Sequence, residues 1–227
     1  MNIADTWANL ERDQAWREQE IRFLEGRLVE IPLEGDQELF RRSIIVMLYA
    51  HFEGFCKLAF LTYITAINAE SIKCAEANYA IAAASLNDVF AELRDPSTKC
   101  PEFRNSLPDD TKLHRFARDR EFVERSQEIT SKLVTIPDSI VDTEDNLKPI
   151  VLRKLLFRLG FQHDGLKNVE GSIHQLLEAR NTIAHGVSTR GIDEKSYDRL
   201  KGAAYTVMNE VRRTVMLSLL NQDYLRK

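Results

Sequence analysis

Three side chains in the C-terminal third are of types that can do chemistry together: Arg180, Asn181 and His185, in the run Arg180-Asn-Thr-Ile-Ala-His185 that Gly186 closes. An imidazole exchanges protons near neutral pH. A guanidinium grips a phosphate through a planar fork of donors. The amide beside it can orient either partner. At about 100° per residue, Ile173, Leu176, Leu177, Ile183 and Ala184 gather on one side of a helix, with Arg180 in their midst. Glu178, Asn181 and His185 gather on the opposite side. A guanidinium aimed at an apolar face is costly unless a carboxylate, a phosphate or a subunit interface receives it. The plainer reading is a structural arginine in an interface ion pair and a helix-end histidine interacting with the dipole.

The run closes a helix expected from 169 to 185, and the longest apolar stretch of the chain must support it. That stretch reads as a helix capped by Asp36 and running to Asn68, apolar over most of its circumference as in a helix surrounded by others. One polar line interrupts it: Arg42, Tyr49, Glu53 and Lys57 fall within about 80° of each other, while His51 points away. Glu53 is the candidate carboxylate for Arg180, and Lys57 and Glu178 are the other supporting candidates. Further helices are expected at 3–30, 77–93, 111–134, 147–159 and 193–221, the last opened by Asp193. A proline-bearing loop at 95–110 and an acidic linker at 137–146 complete the pass. The whole is an all-α bundle, read as one domain over 1–227.

Arg180-Asn-Thr-Ile-Ala-His185 resembles the Arg-(four to six residues)-His signature of the HEPN superfamily, in which Asn commonly follows the Arg. Tyr49-Ala-His-Phe-Glu-Gly-Phe-Cys-Lys57 looks like the equivalent long-helix segment of one bacterial branch of HEPN-like nucleases. Leu155-Leu-Phe-Arg-Leu-Gly160 also fits that branch, so the resemblance spans roughly 36 to 220. It implies an all-α HEPN-like helical bundle with a long central helix, within which 70–146 is a helical insertion. It also implies metal-independent RNA cleavage, with no cofactor and no metal. His185 would be the general base or acid, Arg180 would hold the scissile phosphate, and Asn181 would orient one of them. The products would be a 2′,3′-cyclic phosphate and a 5′-hydroxyl. One imidazole cannot easily serve as both base and acid, so a homodimer is expected to build the site. A toxin or anti-phage role implies an antitoxin or regulatory partner protein. The alternative is a non-catalytic module that binds nucleotides or proteins.

Composition sets the frame. With 44% hydrophobic and 29% charged residues the 227-residue chain can bury a core, and a formal net charge of −4 gives no global basic footprint for nucleic acid. An RNA-binding surface must be local or assembled from subunits. Cys56, Cys74 and Cys100 form no CxxC or Cys/His metal pattern and read as reduced thiols. No Walker-type glycine loop, nucleophile elbow or His-Glu-x-x-His motif is present. Glu53 and Lys57 interrupt the apolar stretch from 44 to 67, which therefore reads as a buried helix, with no membrane role and a cytoplasmic setting expected. The run holding Arg115, Arg118 and Arg120 reads as a solvated face, or else as a phosphate-tracking patch. Trp7 and Trp16 read as packing groups rather than base-stacking platforms. A weaker third reading makes the chain the target of a partner nucleotidyltransferase; Tyr197 and Tyr205 lie downstream of the motif, and nothing singles one of them out.

Overall fold

The computed structural model describes residues 2–103 and 110–227. Among them the order is α1 (Ile3–Leu28), α2 (Glu34–Asn68), α3 (Tyr79–Ser85), α4 (Asn87–Arg94), α5 (Thr111–Ser131), α6 (Pro149–Arg158), α7 (Glu170–Ala184) and α8 (Glu194–Leu220), with short 3₁₀ turns at Pro101–Phe103 and Asp138–Ile140. No strand longer than an isolated bridge occurs among the described residues. The chain is all-α.

α2 is the axis. It packs against α1, α7 and α8, while α7 also touches α8 and α6. Ile44, Ile45, Leu48, Phe52, Phe55, Cys56, Phe60 and Ile64 are fully buried around it, as expected for a helix enclosed on most sides. Its length and hydropathy would suffice to cross a membrane, yet here that apolar surface is spent on the bundle core. Leu33 rather than Asp36 is the N-cap, so Asp36 sits in the first turn, where its charge complements the helix dipole.

The excursion between α2 and α6 returns to its own start. The Asn68 side chain bonds the backbone N–H and C=O of Ile136, Val134 N–H donates to Ile72 C=O, and Cys74 N–H donates to Lys132 C=O. The helix expected at 77–93 is broken at Leu86, whose buried side chain and non-helical backbone separate α3 from α4. α5 stops at Ser131 because the chain turns into the bridge between Leu133 and Lys73. The C-terminal tail clamps the same region, with Asn78 N–H on Tyr224 C=O and Arg226 N–H on Glu76 C=O.

α6 and α7 end alike. Each finishes on a left-handed glycine, Gly160 at φ 79° and Gly186 at φ 64°. In α7 the N–H groups of Gly186 and Val187 reach the carbonyls of Ile183 and Thr182. In α6 those of Gly160 and Phe161 reach Phe157 and Leu156. Both are six-residue αL closures that satisfy the last carbonyls. The second turns Phe161 inward, 4.6 Å from the Tyr63 ring. The first makes His185 the C-cap.

Candidate functional site

Arg180 lies half-buried on the seam between α7 and α2. Its Nη1 donates to Asn146 Oδ1 at 2.9 Å and to Asn181 Oδ1 at 2.7 Å, and the guanidinium carbon stands 5.0 Å from the Tyr49 ring centroid. All three partners are neutral. They fix the fork through hydrogen bonds and a cation–π contact without cancelling its charge. Burial first, and the Glu53 carboxylate second, push the Tyr49 hydroxyl above the ordinary tyrosine range, with Arg180 pulling the other way. The phenol therefore stays neutral beneath the guanidinium.

Asn146 was not among the residues singled out from the sequence, where its stretch reads as an acidic linker. It is placed by a turn in which Asn146 N–H donates to Thr143 C=O and both central residues, Glu144 and Asp145, have positive φ. The fully buried Leu147 then anchors the chain directly behind it. Its one sequence signal is polarity just ahead of Lys148-Pro149, where α6 begins.

Glu53 does not take the place expected of it. It forms no ion pair with Arg180 among the described residues; Asn146, Asn181 and the Tyr49 ring occupy the guanidinium instead. Its carboxylate acts on Tyr49 and, after burial, helps raise the Cys56 thiol. Lys57 is exposed and forms no ion pair with Glu53 among the described residues. Glu178 is exposed too, and its carboxylate lies 3.2 Å from His174 Nε2 rather than toward Asn181. Asn181 spends its side-chain oxygen on Arg180, and its backbone carbonyl accepts from His185 N–H.

His185 is exposed at the helix end. On an ideal helix five residues turn through about 500°, which leaves it roughly 140° around the axis from Arg180. The two side chains of one chain therefore open in different directions. The loop after Gly186 folds back on the start of α2: Arg42 Nη1 donates to Arg190 C=O at 3.0 Å, and Ile192 N–H donates to Glu38 C=O at 3.1 Å. Neither Arg42 nor Arg190 is ion-paired among the described residues, so two more cations flank the motif's exit.

The other arginine run is largely occupied. Arg118 donates to the carbonyls of Leu93 and Thr98, and Arg120 pairs with Glu124. Trp16 stands edge-on to His51 and Trp7 lies against Arg212. Tyr197 is buried with its hydroxyl on Glu25, and the Tyr205 hydroxyl is buried as well. No group of three or more His, Cys, Asp or Glu suited to a metal ion occurs among the described residues.

An all-α bundle with an Arg-Asn-x-x-x-His run closing the helix that packs on a long central helix is the arrangement of the HEPN superfamily. The family model of the MAE_28990-like HEPN domains matches residues 7–224, nearly the whole chain and including the 70–146 segment, and the protein belongs to that family. No curated protein and no solved structure matches the chain.

Proposed function

We propose that this HEPN protein is an endoribonuclease that cleaves RNA without a metal ion, at a site shared by two copies of the chain. The observation that carries the reading is the Arg180 guanidinium, oriented by Asn146, Asn181 and Tyr49 and without an ion pair among the described residues. Such a group is prepared for an anion. A scissile phosphate supplies it, and its charge grows in the phosphorane, where a preorganised donor does most for the rate. His185 moves a proton at the attacking 2′-hydroxyl or the leaving 5′-oxygen. Base and acid come from two imidazoles when two chains meet. The angular separation of Arg180 and His185 favours this arrangement, because one chain's His185 then serves a phosphate held by the other's Arg180. Pairing also doubles the local positive charge in a chain of net −4. The substrate class is single-stranded or looped RNA, which gives the 2′-oxygen room to align. A toxin or anti-phage role in the cytoplasm, restrained by an antitoxin or regulatory protein, fits such an activity.

A non-catalytic nucleotide- or protein-binding module is the second reading. It is favoured by the exposure of His185 and by Asn181 being committed to Arg180, so that no side chain among the described residues orients the imidazole. One assay separates the two. Wild-type protein incubated with mixed RNA in EDTA should yield fragments ending in 2′,3′-cyclic phosphate. His185→Ala and Arg180→Ala should be inactive while remaining folded and dimeric. Intact RNA after incubation of wild-type dimer, with and without divalent metal, would leave only the binding module.

A further inference from the structure

A cavity lies away from the motif, at the far end of α6. It measures about 650 Å³ and is lined by Tyr79, Asn87, Phe157, Arg158 and His163, among others, between α3 and the C-terminal end of α6. That volume is within the range of small-ligand sites, roughly 300–1,000 Å³.

Four features define its chemistry. Tyr79 and Phe157 are 76% and 67% exposed at its wall, and the Arg226 guanidinium stands over the Tyr79 ring, 4.7 Å from its centroid, so the wall already holds one stacked cation beside two large exposed rings. Ala80, Ala83 and Ala84 of α3 contribute only methyl groups to the lining. The polar side chains are two amides (Asn87 and Gln162), one guanidinium (Arg158), an imidazole (His163) and the Tyr79 hydroxyl, with no Asp or Glu among the lining residues of an acidic protein. Arg158 is exposed and has neither an ion pair nor a hydrogen bond among the described residues. The walls are well held. Asn78 caps α3 by accepting from Ile81 N–H and also donates to Asp223 C=O, while Phe157 rests edge-on against His163.

We propose that this cavity binds a nucleotide, its base stacked on Tyr79 and Phe157 and its phosphate held by Arg158. The amides of Asn87 and Gln162 meet the edge of the base. Rings serve any base because every base has a π-face. The Arg158 guanidinium, which has no ion pair among the described residues, supplies complementarity to a phosphate and discriminates against a bare nucleoside. The bound nucleotide is either a free mononucleotide or one unit of an RNA strand. The site stands whether or not the protein cleaves RNA.

The full-length protein is titrated by calorimetry with AMP, GMP, CMP, UMP and adenosine in turn, and by fluorescence anisotropy with a fluorescein-labelled six-nucleotide adenylate RNA. Saturable binding of a mononucleotide, with AMP tighter than adenosine, identifies a free-nucleotide site. Binding of the labelled RNA alone identifies an RNA-strand site. In either case Tyr79→Ala and Phe157→Ala should weaken binding ~tenfold or more. Arg158→Ala should remove the advantage of AMP over adenosine. The losses caused by Tyr79→Ala, Phe157→Ala and Arg158→Ala should persist in an Arg180→Ala background, which separates this cavity from the motif. No binding of any probe, or binding lost in Arg180→Ala but kept in Arg158→Ala and Phe157→Ala, overturns the proposal. These aromatic side chains are exposed, so their removal should leave the melting temperature near that of wild type, and circular dichroism checks this.

Discussion

Arg180 is held by oxygens that carry no formal charge, and that choice of partners has a measurable consequence. A carboxylate in the position of Asn146 would orient the guanidinium equally well but would neutralise it, so a phosphate would have to compete for the fork. Asn146→Ala should leave the fold intact and slow RNA cleavage by about tenfold to a hundredfold. That range corresponds to one hydrogen bond to a charged group, roughly 1.5–3 kcal/mol. Asn146→Asp should preserve the bond geometry yet raise KM for RNA further, because it installs a competitor for the same donors. Steady-state cleavage of a short fluorogenic RNA measures both. Equal kinetics for wild type and Asn146→Asp would show that charge at this position does not matter.

At the scale of elements, the motif helix is positioned at both ends of its last turn. The αL closure at Gly186 determines where His185 is displayed, and the following loop is pinned to the first turns of α2. Gly191 makes that pin possible. A Cβ built there would stand 2.5 Å from Glu38 Cβ and 3.3 Å from its backbone carbon, too close for anything but movement of the loop. Gly191→Ala should cost about 1–3 kcal/mol, as overpacking does, and should displace Arg190 from Arg42. Gly202, within α8, has nothing within 4 Å of a built Cβ. Gly202→Ala should instead stabilise by ~0.5–1 kcal/mol through helix propensity. Paired thermal melts of the two variants should move in opposite directions.

Across the whole molecule, α1 is bound to α2 through a titratable contact. His51 is buried on α2, 2.8 Å from Glu20 Oε2 and edge-on to Trp16, with Arg17 and Asp13 also facing it from α1. Burial lowers its pKa below the ordinary histidine value and outweighs the opposing pull of Glu20. The neutral imidazole is thus the form the fold prefers. The unfolded chain takes up the proton first as pH falls below about 6.5, so the contribution of His51 is fully present above that pH. It is lost as pH drops through the lower folded value. Urea midpoints measured from pH 7.5 down to 5 should decline, and His51→Gln should flatten the decline. An identical slope in the variant would assign the acid sensitivity elsewhere.

Much of this was legible in the chain itself. The apolar circumference of 44–67 requires a central helix whatever the topology, because only enclosure on all sides hides so much surface. Gly186 and the run ahead of it mark the end of the motif helix, since a helix end is a local event. Asp193 likewise marks the start of α8, its side chain accepting from Ser196 N–H. The residues that hold the guanidinium were not legible. Asn146 lies 34 positions away in a linker, and Tyr49 is one aromatic among many on a helix rich in them. Periodicity states which face of a helix is polar but not which distant side chain will meet it. For that reason Glu53, a reasonable partner by charge, proved to be displaced by an amide and a ring. The cavity under α6 was equally invisible, because its walls come from α3 and α6, two helices more than 60 positions apart in the chain that meet only in the folded bundle. Local order follows from local sequence; contacts between residues far apart in the chain follow from how the helices pack.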